Sequence, residues 1–184
     1  MALLPIALLV LVGFIGLYVI SIYNSLASLR VKVREAWSGI DVQLKRRIDL
    51  IPNLVETVKG YAAHEKEVFE AVTRARAALM GAGSHKEALQ ADNQLSSALK
   101  SLFAVAEAYP ELKAQEGFVN LQNELSDTES KVAYARQFYN SVVRDLNSKI
   151  AVFPGNVFAG LFGFKPEEFF EAQENEKESI KVSF

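Results

Sequence analysis

Residues 3–22 are mostly Leu, Ile, Val, Phe and Ala, with Leu3 and Ile22 at the ends of the run, and no charged side chain precedes Arg30. At about 1.5 Å per residue, such a helix spans a hydrocarbon core of about 30 Å. Downstream, apolar positions recur three or four apart, the period of a helix that buries one face. The first stripe is Leu26, Leu29, Val33, Trp37, Ile40 and Leu44. A second runs from Ile51 through Leu54, Val58 and Val72 to Leu79, and a third holds Leu95, Leu99, Leu102 and Ala106. The fourth alternates three and four from Phe118 through Leu121, Leu125, Thr128, Val132, Ala135, Tyr139, Val142 and Leu146 to Ile150, the sign of bundle packing. The spacing predicts helices over residues 23–47, 49–80, 84–108 and 111–150.

The breaks follow from turn chemistry. Asp49 can cap a helix with Pro52 in its first turn, where the missing N–H loses no bond. The apolar phase also runs on from Leu44 through Ile48 and Ile51 to Val55, so one long helix kinked at Pro52 is the other reading. Gly60 interrupts the second stripe. Gly81, Ala82 and Gly83 form a loop, Ser84 with Glu87 makes a capping box, and Tyr109 with Pro110 stops the third helix. The expected fold is all-α: an N-terminal transmembrane helix followed by an antiparallel up-and-down four-helix bundle. The segments are an anchor over 1–28, the bundle over 29–150, a Phe/Gly/Pro-rich stretch over 151–170 near the membrane end, and a charged flexible tail over 171–184. A fourth helix of about 60 Å outruns a partner of residues 23–47. One end is expected to project or to bury itself on a second copy, so a homo-oligomer is expected.

Composition narrows the chemistry. The formal net charge is −2, half the residues are apolar, and there is no cysteine. A basic nucleic-acid binder, a disordered chain, a disulfide framework and a thiolate metal site are all excluded. With two histidines, a histidine-rich metal site is excluded too. His64 and Glu65 do not extend to His-Glu-x-x-His, because Val68 stands at the last position, and neither histidine closes a Glu-x-x-His motif. No catalytic residue, metal ligand or cofactor is expected.

Charge also sets topology. Arg30, Lys32 and Arg34 follow the apolar run, and Lys45, Arg46 and Arg47 follow those, whereas only the α-amino group is positive before it. Positive charge stays on the cytoplasmic side, which predicts the N-terminus outside and the bundle in the cytoplasm of a single-pass inner-membrane protein. A cleaved signal peptide is the rival reading, with Ser25 and Ala27 as a small-x-small site. The run is too long and lacks a basic start. Lys45, Arg46 and Arg47 most simply form a solvated face at a helix end, and contact with anionic lipid is the alternative. Phe158, Phe162, Phe164, Phe169 and Phe170 either fold back to fill the end of the bundle or touch lipid headgroups or a partner protein. The last five residues, Ile180 to Phe184, alternate apolar and polar and are either frayed or a strand for a partner's sheet edge.

The string DVQLKRR at 41–47, followed by DLIPNLV at 49–55, resembles the signature of the LemA family of bacterial membrane proteins. The likeness takes in Tyr23 and Asn24, VKGY at 58–61 with His64 and Glu65, YPEL at 109–112, Arg136 with Tyr139 and Asn140, and Phe153 with Pro154. It implies an N-terminal transmembrane helix and a four-helix bundle, and no reaction or cofactor. Some members are associated with magnetosome membranes, which implies membrane organisation. The expected function is a non-catalytic scaffold or adaptor whose partners are the bilayer, further copies of itself and an unidentified membrane or peripheral protein. A membrane-surface binding or remodelling protein is the alternative, and an enzyme with an unrecognised site in the bundle is a third reading.

Overall fold

The computed structural model describes residues 3–170, with side chains from residue 6 onward. Its elements are α1 (Leu3–Lys59), α2 (Lys66–Met80), α3 (His85–Glu107), a single turn α4 (Pro110–Lys113), α5 (Glu116–Ala151) and α6 (Gly155–Phe162). Residues 163–170 follow as a non-helical segment. The expected tail over 171–184 lies outside the described residues.

The expected turn at Pro52 does not occur. The chain is one helix of 57 residues from Leu3 to Lys59 with Pro52 inside it, so Asp49 caps nothing. A proline within a helix removes the hydrogen bond to the carbonyl four residues back. Here that carbonyl belongs to Ile48, and it accepts instead from Nε of Arg76 on α2 at 3.1 Å. The chain reverses after Gly60, where Tyr61 and Ala62 both donate to the Val58 carbonyl and Ala62 is buried. The apolar phase of α1 explains why the helix continues: Ile40, Leu44, Ile51, Leu54 and Val58 are all buried on one stripe.

The capping box at Ser84 is formed. Ser84 Oγ accepts from the Glu87 N–H at 3.2 Å, while the Glu87 carboxylate reaches back to the Gly83 N–H at 2.8 Å. The expected fourth helix is divided. Pro110 opens the short α4, and α5 starts afresh with Gln115 Oε1 accepting from the Phe118 N–H. Buried residues then recur along α5 at Phe118, Leu125, Thr128, Val132, Tyr139, Val142 and Leu146. Thr128 can occupy an apolar stripe because its hydroxyl is satisfied by the Glu124 carbonyl at 2.7 Å. The length argument for a projecting end of the fourth helix falls, because α1 runs on to Lys59 rather than stopping near Arg47.

Residues 38–136 form one packed unit. In it α2 packs on α3 across a short loop. Contacts run in opposite senses along α1 and α2, with Ile48 meeting Arg76 and Lys59 lying over the Phe69 ring. They do so along α3 and α5 as well, with Asp92 meeting Arg136 and Phe103 meeting Phe118. This is up-and-down bundle topology.

The second unit takes in the chain up to Trp37 and from Gln137 onward. From Ile6 to Ile20 the apolar side chains of α1 face outward, Leu9 at 72% and Phe14 at 68% exposure. By length and composition this part of α1 can cross a membrane, which suggests membrane anchoring. Burial begins at Ile22 and continues through Leu26 and Val33.

Candidate functional site

The most buried charges lie inside the bundle unit. On α1, Arg47 falls on the stripe between Leu44 and Ile51, and on α3, Asp92 falls between Ala88 and Leu95. Their phase turns both inward, to 2% and 1% exposure. Arg47 Nη1 donates to Asp92 Oδ1 at 2.7 Å, and Arg136 of α5 donates to the other oxygen, Oδ2. The exposed Glu129 carboxylate comes within 3.8 Å of Arg47 Nη2, so two guanidinium groups face two carboxylates. Arg47 Nε and Gln43 Oε1 are buried without a hydrogen-bond partner among the described residues. Removing such charges from water costs several kcal/mol per ion, which close pairing has to offset. What the arrangement does chemically is join three helices. Both oxygens of Asp92 are occupied, one by the guanidinium of Arg47 and the other by that of Arg136.

A more open feature of the same unit is a cleft of about 660 Å³. Lys59, Lys66 and Arg74 line it with Glu70, and Phe69 supplies an apolar floor. Its charge suits an anion with an apolar part.

In the other unit, the end of α5 meets the last described segment. Trp37, Tyr139 and Phe170 form a closed set of rings, with centroids 5.8 Å, 5.9 Å and 6.3 Å apart. The segment is held by two asparagines of α5. Asn140 donates to the Phe170 carbonyl at 2.8 Å and accepts from its N–H at 2.7 Å. Asn147 does the same for Glu167, at 2.8 Å and 2.9 Å. Seven residues of helix rise about 10.5 Å, and three residues of extended chain cover about 10 Å, so the spacing of the two amides matches that of the two peptide groups they hold. Tyr139 donates its hydroxyl to the Glu168 carbonyl at 3.2 Å. Burial pushes the Tyr139 phenol above its ordinary value, and the Glu167 and Glu168 carboxylates add to the rise.

The helix α6 is joined to α5 by a tight corner containing a cis Phe153–Pro154 bond. Gly155 permits the close approach there, since a Cβ would lie 2.1 Å from the Lys149 carbonyl oxygen. Gly163 ends α6 with φ of 72°, the left-handed conformation that glycine adopts without a steric penalty. Phe162 and Phe164 both meet Tyr23 of α1 edge-on, at 5.2 Å and 5.8 Å.

The basic cluster is not one solvated face. Lys45 is exposed, Arg46 is half-exposed and paired with Glu124, and Arg47 is interior. A helix end is not present there either, because α1 continues for another three turns. Among the five phenylalanines, Phe170 is buried at 7%, Phe158 and Phe164 are half-buried, and Phe162 and Phe169 are exposed. Phe170 thus packs into the fold, whereas Phe162 faces outward. His64 is exposed in the turn after α1.

The sequence reading does not single out Asp92, Asn147, Val157 or Leu161, nor Asn140 as a backbone clamp. A signal is present for Asp92 and Arg47. Each is a charged residue standing where an apolar stripe needs its next member, and two such exceptions on neighbouring helices call for each other. Nothing comparable marks Asn147.

Residues 36–184 match the family model described as the LemA family. The chain is similar to magnetosome protein MamQ 2 of Paramagnetospirillum magneticum, 27% identical over 196 aligned positions that cover 92% of this chain and 72% of that one. It is similar to protein LemA of Metamycoplasma hominis, 26% identical, covering 87% of this chain and 74% of the relative. Magnetosome protein MamQ of Magnetospirillum gryphiswaldense is 26% identical, with 91% and 71% covered.

Proposed function

The chain belongs to the LemA family, and from that premise we propose that it is a non-catalytic, membrane-anchored helical scaffold or adaptor. The observation that carries the reading is α1. One unbroken helix bears an outward-facing apolar run and then, further along, the buried stripe that runs from Ile40 to Val58. One helix thus carries both a stretch able to cross a membrane and a stretch that packs. The buried Arg47 and Asp92, with the half-buried Arg136, support the same reading, because their charges are paired with one another. The relatives named as magnetosome proteins carry the name of a cellular structure rather than of a reaction.

In this proposal the N-terminus is outside and the bundle cytoplasmic, because Arg30, Lys32 and Arg34 follow the apolar run. The partner-binding face includes Tyr134 and Phe138, which stand four apart on α5 and are exposed at 71% and 60%. Two such aromatics on one outer helix face suit a second copy of the chain or a peripheral protein. The test is photocross-linking in intact membranes from position 134, with Tyr134 replaced by a photoreactive phenylalanine analogue. A discrete adduct, lost on Phe138→Glu with the helical content unchanged, is expected. No adduct, or a smear indifferent to Phe138→Glu, would contradict a defined partner.

A further inference from the structure

Among the described residues, the apolar face of α6 has no counterpart in the fold around it. Residues 150–164 contain no charged side chain and one polar one, Asn156, and the stretch is bracketed by Lys149 and Lys165. Within α6, Gly155 and Ala159 are the buried positions. Val157 and Leu161 lie on the opposite side, exposed at 56% and 72%. Val152, Phe153 and Phe162 extend this surface, Phe153 at 77%. Five large apolar side chains in eleven residues are thus turned outward while two small ones face the protein. A helix meant for water carries the reverse pattern.

The position of this surface says what covers it. Phe162 packs on Tyr23, the residue next to Ile22, where the apolar run of α1 ends. Tyr18, Ser21 and Ile22 share a cavity with Val152, Phe153 and Pro154. The uncharged face of α6 therefore adjoins the level at which α1 passes from exposed apolar residues to buried ones. Tyr18 and Tyr23 are the aromatics expected where a membrane helix meets the headgroups. Lysines at both ends of an apolar stretch can direct their ammonium groups to phosphates while the stretch itself lies shallow.

We infer that α6, with Val152 and Phe153 before it, is a second membrane contact: a short helix lying in the headgroup region of the leaflet at which α1 leaves the bilayer. Its occupant is phospholipid, with the outer face set about 5–10 Å into the boundary between headgroups and acyl chains. The chain is then attached to the membrane at two points, one crossing and one lying flat. The inference rests on α1 being the anchor.

A chain without cysteine makes the test direct. The full chain carrying Leu161→Cys is labelled with an environment-sensitive fluorophore and reconstituted into vesicles of phosphatidylcholine and phosphatidylglycerol. Parallel samples carry the label at Phe14 in the apolar run and at Met80, which is exposed at the end of α2. Nitroxide lipids with the spin label near the headgroup, nitroxide lipids with it deep in the acyl chain, and aqueous iodide are the quenchers. At Leu161 the expected result is blue-shifted emission, strong loss to the shallow nitroxide, weaker loss to the deep one and little to iodide. At Phe14 the deep nitroxide dominates, and at Met80 only iodide quenches. Loss to iodide alone at Leu161, with Phe14 still lipid-quenched, overturns the second contact and leaves the anchor standing. Shielding of Leu161 from iodide without lipid quenching assigns the face to a protein, a second copy included, and overturns it also. No lipid quenching at Phe14 overturns the anchor and this inference together.

Discussion

Nε of Arg76 donates a hydrogen bond at 3.1 Å to the main-chain oxygen of Ile48, the oxygen that Pro52 leaves without its helical partner. A proline inside a helix and an arginine on the next helix are thus one device. The cost of the proline is met from outside α1, and the meeting point ties α2 to α1.

A double-mutant cycle reads this coupling. Arg76→Leu in the natural background takes the guanidinium donor away from that carbonyl and should lower stability by about 1–3 kcal/mol, the cost of an orphaned acceptor. In a Pro52→Ala background the main-chain N–H restored at position 52 can bond the same oxygen, and Arg76→Leu should cost less. Urea unfolding of the four proteins gives the coupling. Equal losses in both backgrounds would mean that Arg76 acts elsewhere.

Asp92 lies between two guanidinium groups at 1% exposure. Asp92→Asn keeps the shape and strips the charge, leaving Arg47 buried against a neutral amide. The expected loss is about 3–5 kcal/mol, the range for breaking one side of a buried ion pair. Replacing Arg47 by Met, Asp92 by Leu and Arg136 by Met together should restore much of it, because an apolar set of similar volume leaves no guanidinium without its carboxylate. Thermal unfolding followed by circular dichroism checks both, and a triple variant less stable than Asp92→Asn contradicts the pairing.

Asn140 and Asn147 hold the extended segment by its own peptide groups. Asn147→Leu should release the Glu167 end of the clamp at a cost of about 1–3 kcal/mol. Hydrogen exchange resolves the effect by position. The Glu167 amide should exchange much faster, while that of Leu95, in the core of α3, should not change. Uniform acceleration would indicate global loss of stability instead.

Tyr139 supplies a pH dependence. Burial, and then the neighbouring Glu167 and Glu168, hold its phenol protonated above the ordinary 10.0. The unfolded chain loses that proton first. The contribution of this group is therefore intact below about pH 10 and falls as pH rises through the higher folded value. Tyr139→Phe should cost some stability at pH 8 through the lost bond to the Glu168 carbonyl, yet flatten the decline above about pH 10. An unchanged slope in the variant would mean that other groups set the alkaline limit.

Much of this fold is legible in the sequence. Three of the four stripes each locate a packed helix, and the glycines and proline at 81–83 and 110 coincide with real ends; the second stripe, expected as one helix over 49–80, is instead divided at Gly60 between α1 and α2. The misplaced boundary at Pro52 has a physical origin. Proline argues for a break, but the stripe through Leu44, Ile51, Leu54 and Val58 keeps its phase, and the orphaned carbonyl finds Arg76 28 residues away. No local rule weighs a distant donor against a local breaker. Arg47 and Asp92 are hidden in another way: each stands in phase with the stripe, but a charge on a stripe is ordinarily taken as its edge. The asparagine clamp is the least visible, since residues 163–170 have neither helical nor strand periodicity and are positioned by side chains of α5.

In this proposal the outward-facing apolar part of α1 lies in a bilayer while the same helix continues into the folded domain. Single cysteines placed along α1 from Leu9 to Val42 in the full chain, in native membranes, test it with a water-soluble maleimide. Protection through Ile20, reactivity at outward positions such as Lys32 and Val42, and retention of the chain in the membrane after alkaline extraction are the predicted results. Ready labelling at Leu9 and Phe14, or release of the chain into the aqueous fraction, would contradict it.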